Sequence, residues 1–114
     1  MTDRVELDVR RERAAKNQSL FREVNERIGE LSGSMSRTWF ICECANESCE
    51  EGVSLTREVY ERIRSEPNRF FVVKGHEVPE VEQVIDSADG YVVVAKLGIG
   101  GAVAEHLDPR RPSR

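Results

Sequence analysis

Histidine occurs only twice in the 114 residues, aromatic side chains make up 6%, and no cysteine lies outside positions 42 to 49. Two histidines, with no serine or cysteine placed to partner them, exclude a catalytic triad. No run of ~18 apolar residues exists, so no transmembrane helix is expected. The N-terminal "MTDRVELDVRRER" is charged throughout and lacks the apolar stretch of a signal peptide, which predicts a cytoplasmic chain. Lysine and arginine total 17 against 21 acidic residues, a net charge of −4 that argues against nucleic acid as a primary ligand. Hydrophobic residues reach 39% beside 33% charged ones, a lean supply of core. A chain this short buries only about 60–70% of the surface its unfolded form exposes, so a covalent or metal staple would have a thermodynamic purpose.

The three cysteines supply a candidate. "ICECANESCEEG" holds Cys42, Cys44 and Cys49 in the pattern Cys-x-Cys-x4-Cys, and His76 follows 27 positions later in "KGHE". Three thiolates and one imidazole form a standard tetrahedral zinc set, although paired cysteines are usually separated by two to four residues. Zinc is the favoured ion because thiolates select soft or borderline metals, and iron accepts the same donors. His106, Glu77, Glu51 or water are rivals to His76 for the fourth position. Two other readings compete. In a thiol switch the cysteines would react, but Glu43, Glu47, Glu50 and Glu51 should raise their pKa values, and reactive thiolates need the opposite. In the plainest reading they pack as small buried apolar groups beside Phe40 and Ile41. A catalytic metal would need an open position, with Glu43 or Glu77 as base.

The rest of the chain reads as an α+β pattern. Leu20, Val24, Ile28 and Leu31, with Phe21 beside them, form one stripe on a long helix over about Leu7 to Leu31. "SGSMS" ends it. "TWFICEC" predicts a strand leading into the cysteines, and "VSL" a short second strand. Thr56 is suited to cap a helix from Arg57 to Ser65 that buries Val59, Tyr60 and Ile63. "RFFVVKG", "EVEQVID" and "GYVVVAKLG" supply three more strands, the last two joined by "SADG" as a hairpin turn. The expected product is a long N-terminal helix, a short second helix and one small, mainly antiparallel sheet of four to five strands. The aromatic residues belong to its core, Trp39 included. "LGIGGAVAEH" lacks the room for a dinucleotide-binding unit and reads as a terminal turn. One domain should cover residues 1–109, with 1–18 able to project beyond the body and 110–114 as a flexible tail.

The segments "RRERAAKNQSLFREVNERI", "FICECANESC", "LTREVYERIRSEPNRF" and "VVKGHEVPEVEQV" resemble a group of small actinobacterial proteins. The resemblance runs from about Arg10 to Asp108 and implies a bacterial cytoplasmic setting, with no catalytic residue to carry over. The residues themselves predict a non-enzymatic, zinc-stabilised accessory or regulatory protein that docks on a larger cytoplasmic complex, away from membranes. The stripe of Leu20, Phe21, Val24, Ile28 and Leu31 is its candidate partner-binding surface. A thiol-based redox or metal sensor is the alternative function, and a metal-dependent hydrolase the third.

Overall fold

The computed structural model describes residues 4–111. Helix α1 spans Arg4–Ser32, and strands β1 (Arg37–Ile41) and β2 (Gly52–Thr56) form a hairpin around the cysteine loop. Helix α2 (Arg57–Arg64) follows directly, then β3 (Arg69–Val73), β4 (Glu82–Ala88), β5 (Tyr91–Lys96) and α3 (Ile99–His106). The five strands divide between two antiparallel sheets rather than one: β1–β2, and β3–β5–β4.

Local chemistry explains the boundaries. Thr56 Oγ1 accepts from Val59 N at 3.2 Å, which satisfies one of the free N–H groups opening α2, and Ser65 caps the other end. Gly90 takes φ 85° in the β4–β5 turn, a conformation in which a β-carbon is strained. The segment "LGIGGAVAEH" is a correction: it forms α3, packed across α1. A β-carbon at Gly100 would lie 3.2 Å from Arg11 O, so the missing side chain is what permits this approach.

The three-stranded sheet has a core on each face, because alternate residues of β3 and β5 point in opposite directions. On one side Phe71 and Val93 join Phe40, Val53, Leu55, Tyr60 and Ile63. Phe40 and Tyr60 stack with ring centroids 4.3 Å apart, and Phe71 meets Phe40 edge-on at 6.0 Å. On the other side Phe70, Val72, Val92 and Val94 pack with Ala104, Cys42 and Cys44. Trp39 is the exception among the aromatics expected in the core, at 71% exposed.

Helix α1 reverses the orientation its apolar stripe implies. Leu20, Val24 and Leu31 face solvent, Phe21 and Ile28 are half-buried, and only Ile28 of the five packs against the core cluster. The face that is buried carries Ala14, Ala15, Gln18, Ser19, Arg22 and Asn25. The surface receiving it is made of carbonyls and charges, so polar side chains are its complement. Arg22 donates to Pro67 O at 2.5 Å and Ala104 O at 2.7 Å, with its guanidinium 4.7 Å from the Phe70 ring centroid. Gln18 donates to Glu82 Oε1 at 3.0 Å and accepts from Lys96 Nζ, and Lys96 also pairs with Glu82 at 3.0 Å. The first half of α1 is not a projection either: Ala14, Ala15 and Gln18 are buried, and Arg10 pairs with Glu80 at 2.6 Å. The start of the expected tail is held as well. Arg110 bridges Glu26 and Glu61, and residues 112–114 of that expectation lie outside the described ones.

Candidate metal centre

Residues 42 to 44 continue the line of β1, and the alternation of an extended chain sorts their side chains. Cys42 and Cys44 enter the core beneath β3 and β5, while Glu43 points the other way, into the polar face of α1. This accounts for the Cys-x-Cys spacing: in an extended segment two residues apart means the same side. Backbone bonds hold the segment in place, from Cys42 N to Glu51 O at 2.9 Å and from Glu43 N to Phe71 O at 3.0 Å. A turn closed by Cys49 N donating to Asn46 O at 3.0 Å returns Cys49 to its partners. His76 arrives from the β3–β4 connection, where Gly75 at φ 95° and His76 N donating to Val73 O at 2.9 Å set the bend.

The ligand atoms of Cys42, Cys44, Cys49 and His76 all lie within 4.8 Å of one another, so the group can hold a metal ion. Its dimensions fit one. With metal–sulfur and metal–nitrogen bonds of about 2.3 and 2.0–2.1 Å, tetrahedral geometry separates S from N by about 3.6 Å. The two sulfur-to-Nδ1 separations, from Cys42 and Cys49, are 3.5 and 3.6 Å. On the far side of the ring, His76 Nε2 lies 2.8 Å from Glu51 Oε2. A proton on Nε2, shared with that carboxylate, leaves the Nδ1 lone pair directed at the thiols.

The electrostatics follow from burial. Desolvation pushes the Cys42 thiol up, and the neighbouring Cys44 and Cys49 push it further, against a backbone N–H donated by Val73 at 3.1 Å. Cys44 is raised by burial too. The acidic residues expected to exert this effect are not its main source. Glu43 is fully buried, and its carboxylate accepts from Asn25 Nδ2 at 2.8 Å and from Phe71 N at 3.4 Å. Burial raises Glu43 to about 7, opposed by the Asn25 hydrogen bond and by the charges of Arg64 and Arg22.

The rivals for the fourth position are elsewhere. His106 contacts Arg111 at 3.2 Å from α3, Glu77 accepts from Gly75 N at 2.8 Å, and Glu51 reaches the imidazole rather than the thiols. Of the two carboxylates considered as a base, Glu43 is turned away from the thiols and accepts from Asn25 in the face of α1.

Residues that sequence spacing did not single out hold the cysteine loop. Asn25 donates to Ile41 O at 2.9 Å and accepts from Ile41 N at 2.8 Å, Gln18 donates to Glu43 O at 2.9 Å, and Asn17 donates to Ala45 O at 3.4 Å. Their only signal in the sequence is three amides on one side of a charged helix, at positions 17, 18 and 25. Fold and site together define a small α+β protein with a Cys3His group able to bind a metal ion. No protein-family model, curated protein or solved structure matches the chain. No helix among the described residues is long and apolar enough to cross a membrane.

Proposed function

We propose that this is a non-enzymatic accessory protein of the bacterial cytoplasm, closed by one zinc ion on Cys42, Cys44, Cys49 and His76, that docks on a larger protein assembly. The observation behind the zinc reading is the convergence of four ligand atoms within 4.8 Å from two loops distant in sequence. Three thiolates favour zinc or another soft ion over the hard cations, and a fully ligated thiolate-rich site is structural in type. Binding would displace the protons that burial holds on the thiols, so affinity rises with pH, and its free energy adds to folding.

Metal analysis of protein purified without added metal or a histidine tag tests this, with circular dichroism during chelation. One zinc per chain, lost together with folded structure in chelator and in Cys44→Ser, is the expected result. A folded, metal-free protein with three free thiols would exclude it. Cys49 is half-exposed beside two buried thiols, which favours a thiol-based sensor as the second reading. That reading requires rapid, reversible thiol modification at neutral pH without denaturation.

A further inference from the structure

The outward face of α1 is laid out for another helix. We propose that it docks an amphipathic helix of a protein partner, one whose apolar stripe is interrupted by carboxylates; this rests on the accessory-protein reading above. Of the eleven large apolar side chains exposed among the described residues, Val5, Val9, Leu20, Val24 and Leu31 all lie on α1. A 29-residue helix is about 43 Å long, so these residues mark a seam along an entire element.

From Val9 the seam runs through Arg13, Lys16, Leu20, Val24 and Arg27 to Leu31, at steps of four, three, four, four, three and four. Such spacing presents one continuous strip to a neighbouring helix. Beside Val24 lies an open hollow of about 550 Å³, where Ile28 and Pro109 stand among Glu23, Glu26, Arg27 and Glu30.

Charge selects the occupant. Arg13 and Arg27 make no ion pair among the described residues, and Lys16 meets only Glu12 of its own helix, at 3.7 Å. In a chain of net charge −4, three cations thus stand among the apolar residues of one seam. A second copy fits badly. Antiparallel pairing about Leu20 would set Val9 on Leu31 but also Arg13 on Arg27, and parallel pairing would oppose every cation to itself. Like charges so placed disfavour association. Nucleic acid fits less well, since Glu12, Glu23 and Glu30 flank the seam and apolar residues interrupt it. A helix with carboxylates opposite the three cations, and bases beside that acidic flank, satisfies both sets.

The test uses the full, zinc-loaded chain and two fluorescent helical peptides. Both carry leucine at the seam spacing; one has glutamate at the positions opposing Arg13, Lys16 and Arg27, and the other lysine. The glutamate peptide should bind at least about ten-fold tighter, a difference of ~1.4 kcal/mol, with the ratio shrinking in high salt. The double variant Arg13→Glu, Arg27→Glu should invert the preference while circular dichroism and zinc content stay unchanged, because both residues are exposed. Failure of the glutamate peptide to bind a folded, zinc-loaded chain would overturn the proposal, as would equal affinities of the two peptides. So would tighter binding of a labelled DNA duplex, or dimerisation that Leu20→Asp abolishes. A metal-free chain that still discriminates the peptides would sink the zinc reading and leave the seam standing.

Discussion

Replacing Asn25 with alanine should destabilise the protein more than removing any exposed apolar residue of the same helix. Asn25 is fully buried and makes three hydrogen bonds: to Ile41 O at 2.9 Å, to Glu43 Oε2 at 2.8 Å, and from Ile41 N at 2.8 Å. Alanine leaves Ile41 N, Ile41 O and Glu43 Oε2 without these bonds, in a site where Ile41 is partly and Glu43 fully buried. An orphaned buried group costs about 1–3 kcal/mol, and Asn25→Ala should therefore cost about 3–5 kcal/mol after partial relief by entering water. Total stability for a domain of this size is about 5–15 kcal/mol, so about a fifth of it or more would be lost. Urea denaturation followed by far-ultraviolet circular dichroism is the assay. With a slope of about 1–3 kcal/mol per molar, the midpoint should fall by roughly 2 M. Leu20, at 61% exposed, is the control, and Leu20→Ala should change stability by no more than about 0.5 kcal/mol. A cost below about 1 kcal/mol for Asn25→Ala, or a larger one for Leu20→Ala, would refute the claim that α1 is seated by its polar face.

Phe71, fully buried and in edge contact with both Phe40 and Tyr60, should cost about 3–5 kcal/mol as Phe71→Ala in the same assay. Gly98 sits at φ 57°, where a β-carbon would also lie 2.8 Å from Arg11 Nη1, so Gly98→Ala should lose about 1–3 kcal/mol. Glu26 governs part of the acid limb. Burial would raise its pKa, but hydrogen bonds from Arg110 and Tyr60 and the charge of Arg64 outweigh that and hold it at about 2, below the ordinary 4.5. A depressed carboxylate stabilises the fold above its unfolded pKa, and that contribution drains away as pH falls from 4.5 towards 2. The thermal midpoint should therefore drop across this window, and Glu26→Gln should flatten the slope there.

The cysteine cluster was legible in the sequence because its chemistry is local: three thiols within eight residues, and a histidine in a turn after a strand. The same holds for α2, whose cap and apolar spacing are both contained in "TREVYERIR", and for the hairpin turn at Gly90. Helix α1 was legible as a helix, since nothing in residues 4–28 interrupts it, but the side it would bury was not. Apolar periodicity pointed to Leu20, Val24 and Leu31, and the fold buried Gln18, Arg22 and Asn25 instead. The reason lies in what the helix meets. Its docking surface is assembled from Ile41 O, Glu43, Pro67 O, Glu82, Lys96 and Ala104 O, groups scattered over 64 positions of chain. No window of sequence contains them together. The amino-acid order by itself determined which segments become helix or strand, α3 excepted, and which residues have the chemistry to hold a metal. Only the tertiary structure decided that Glu43 turns away from its neighbouring thiols, that His76 and not His106 completes the group, and that a polar face can be the buried one. Each of those outcomes depends on long-range hydrogen bonds whose partners meet only after the chain has folded.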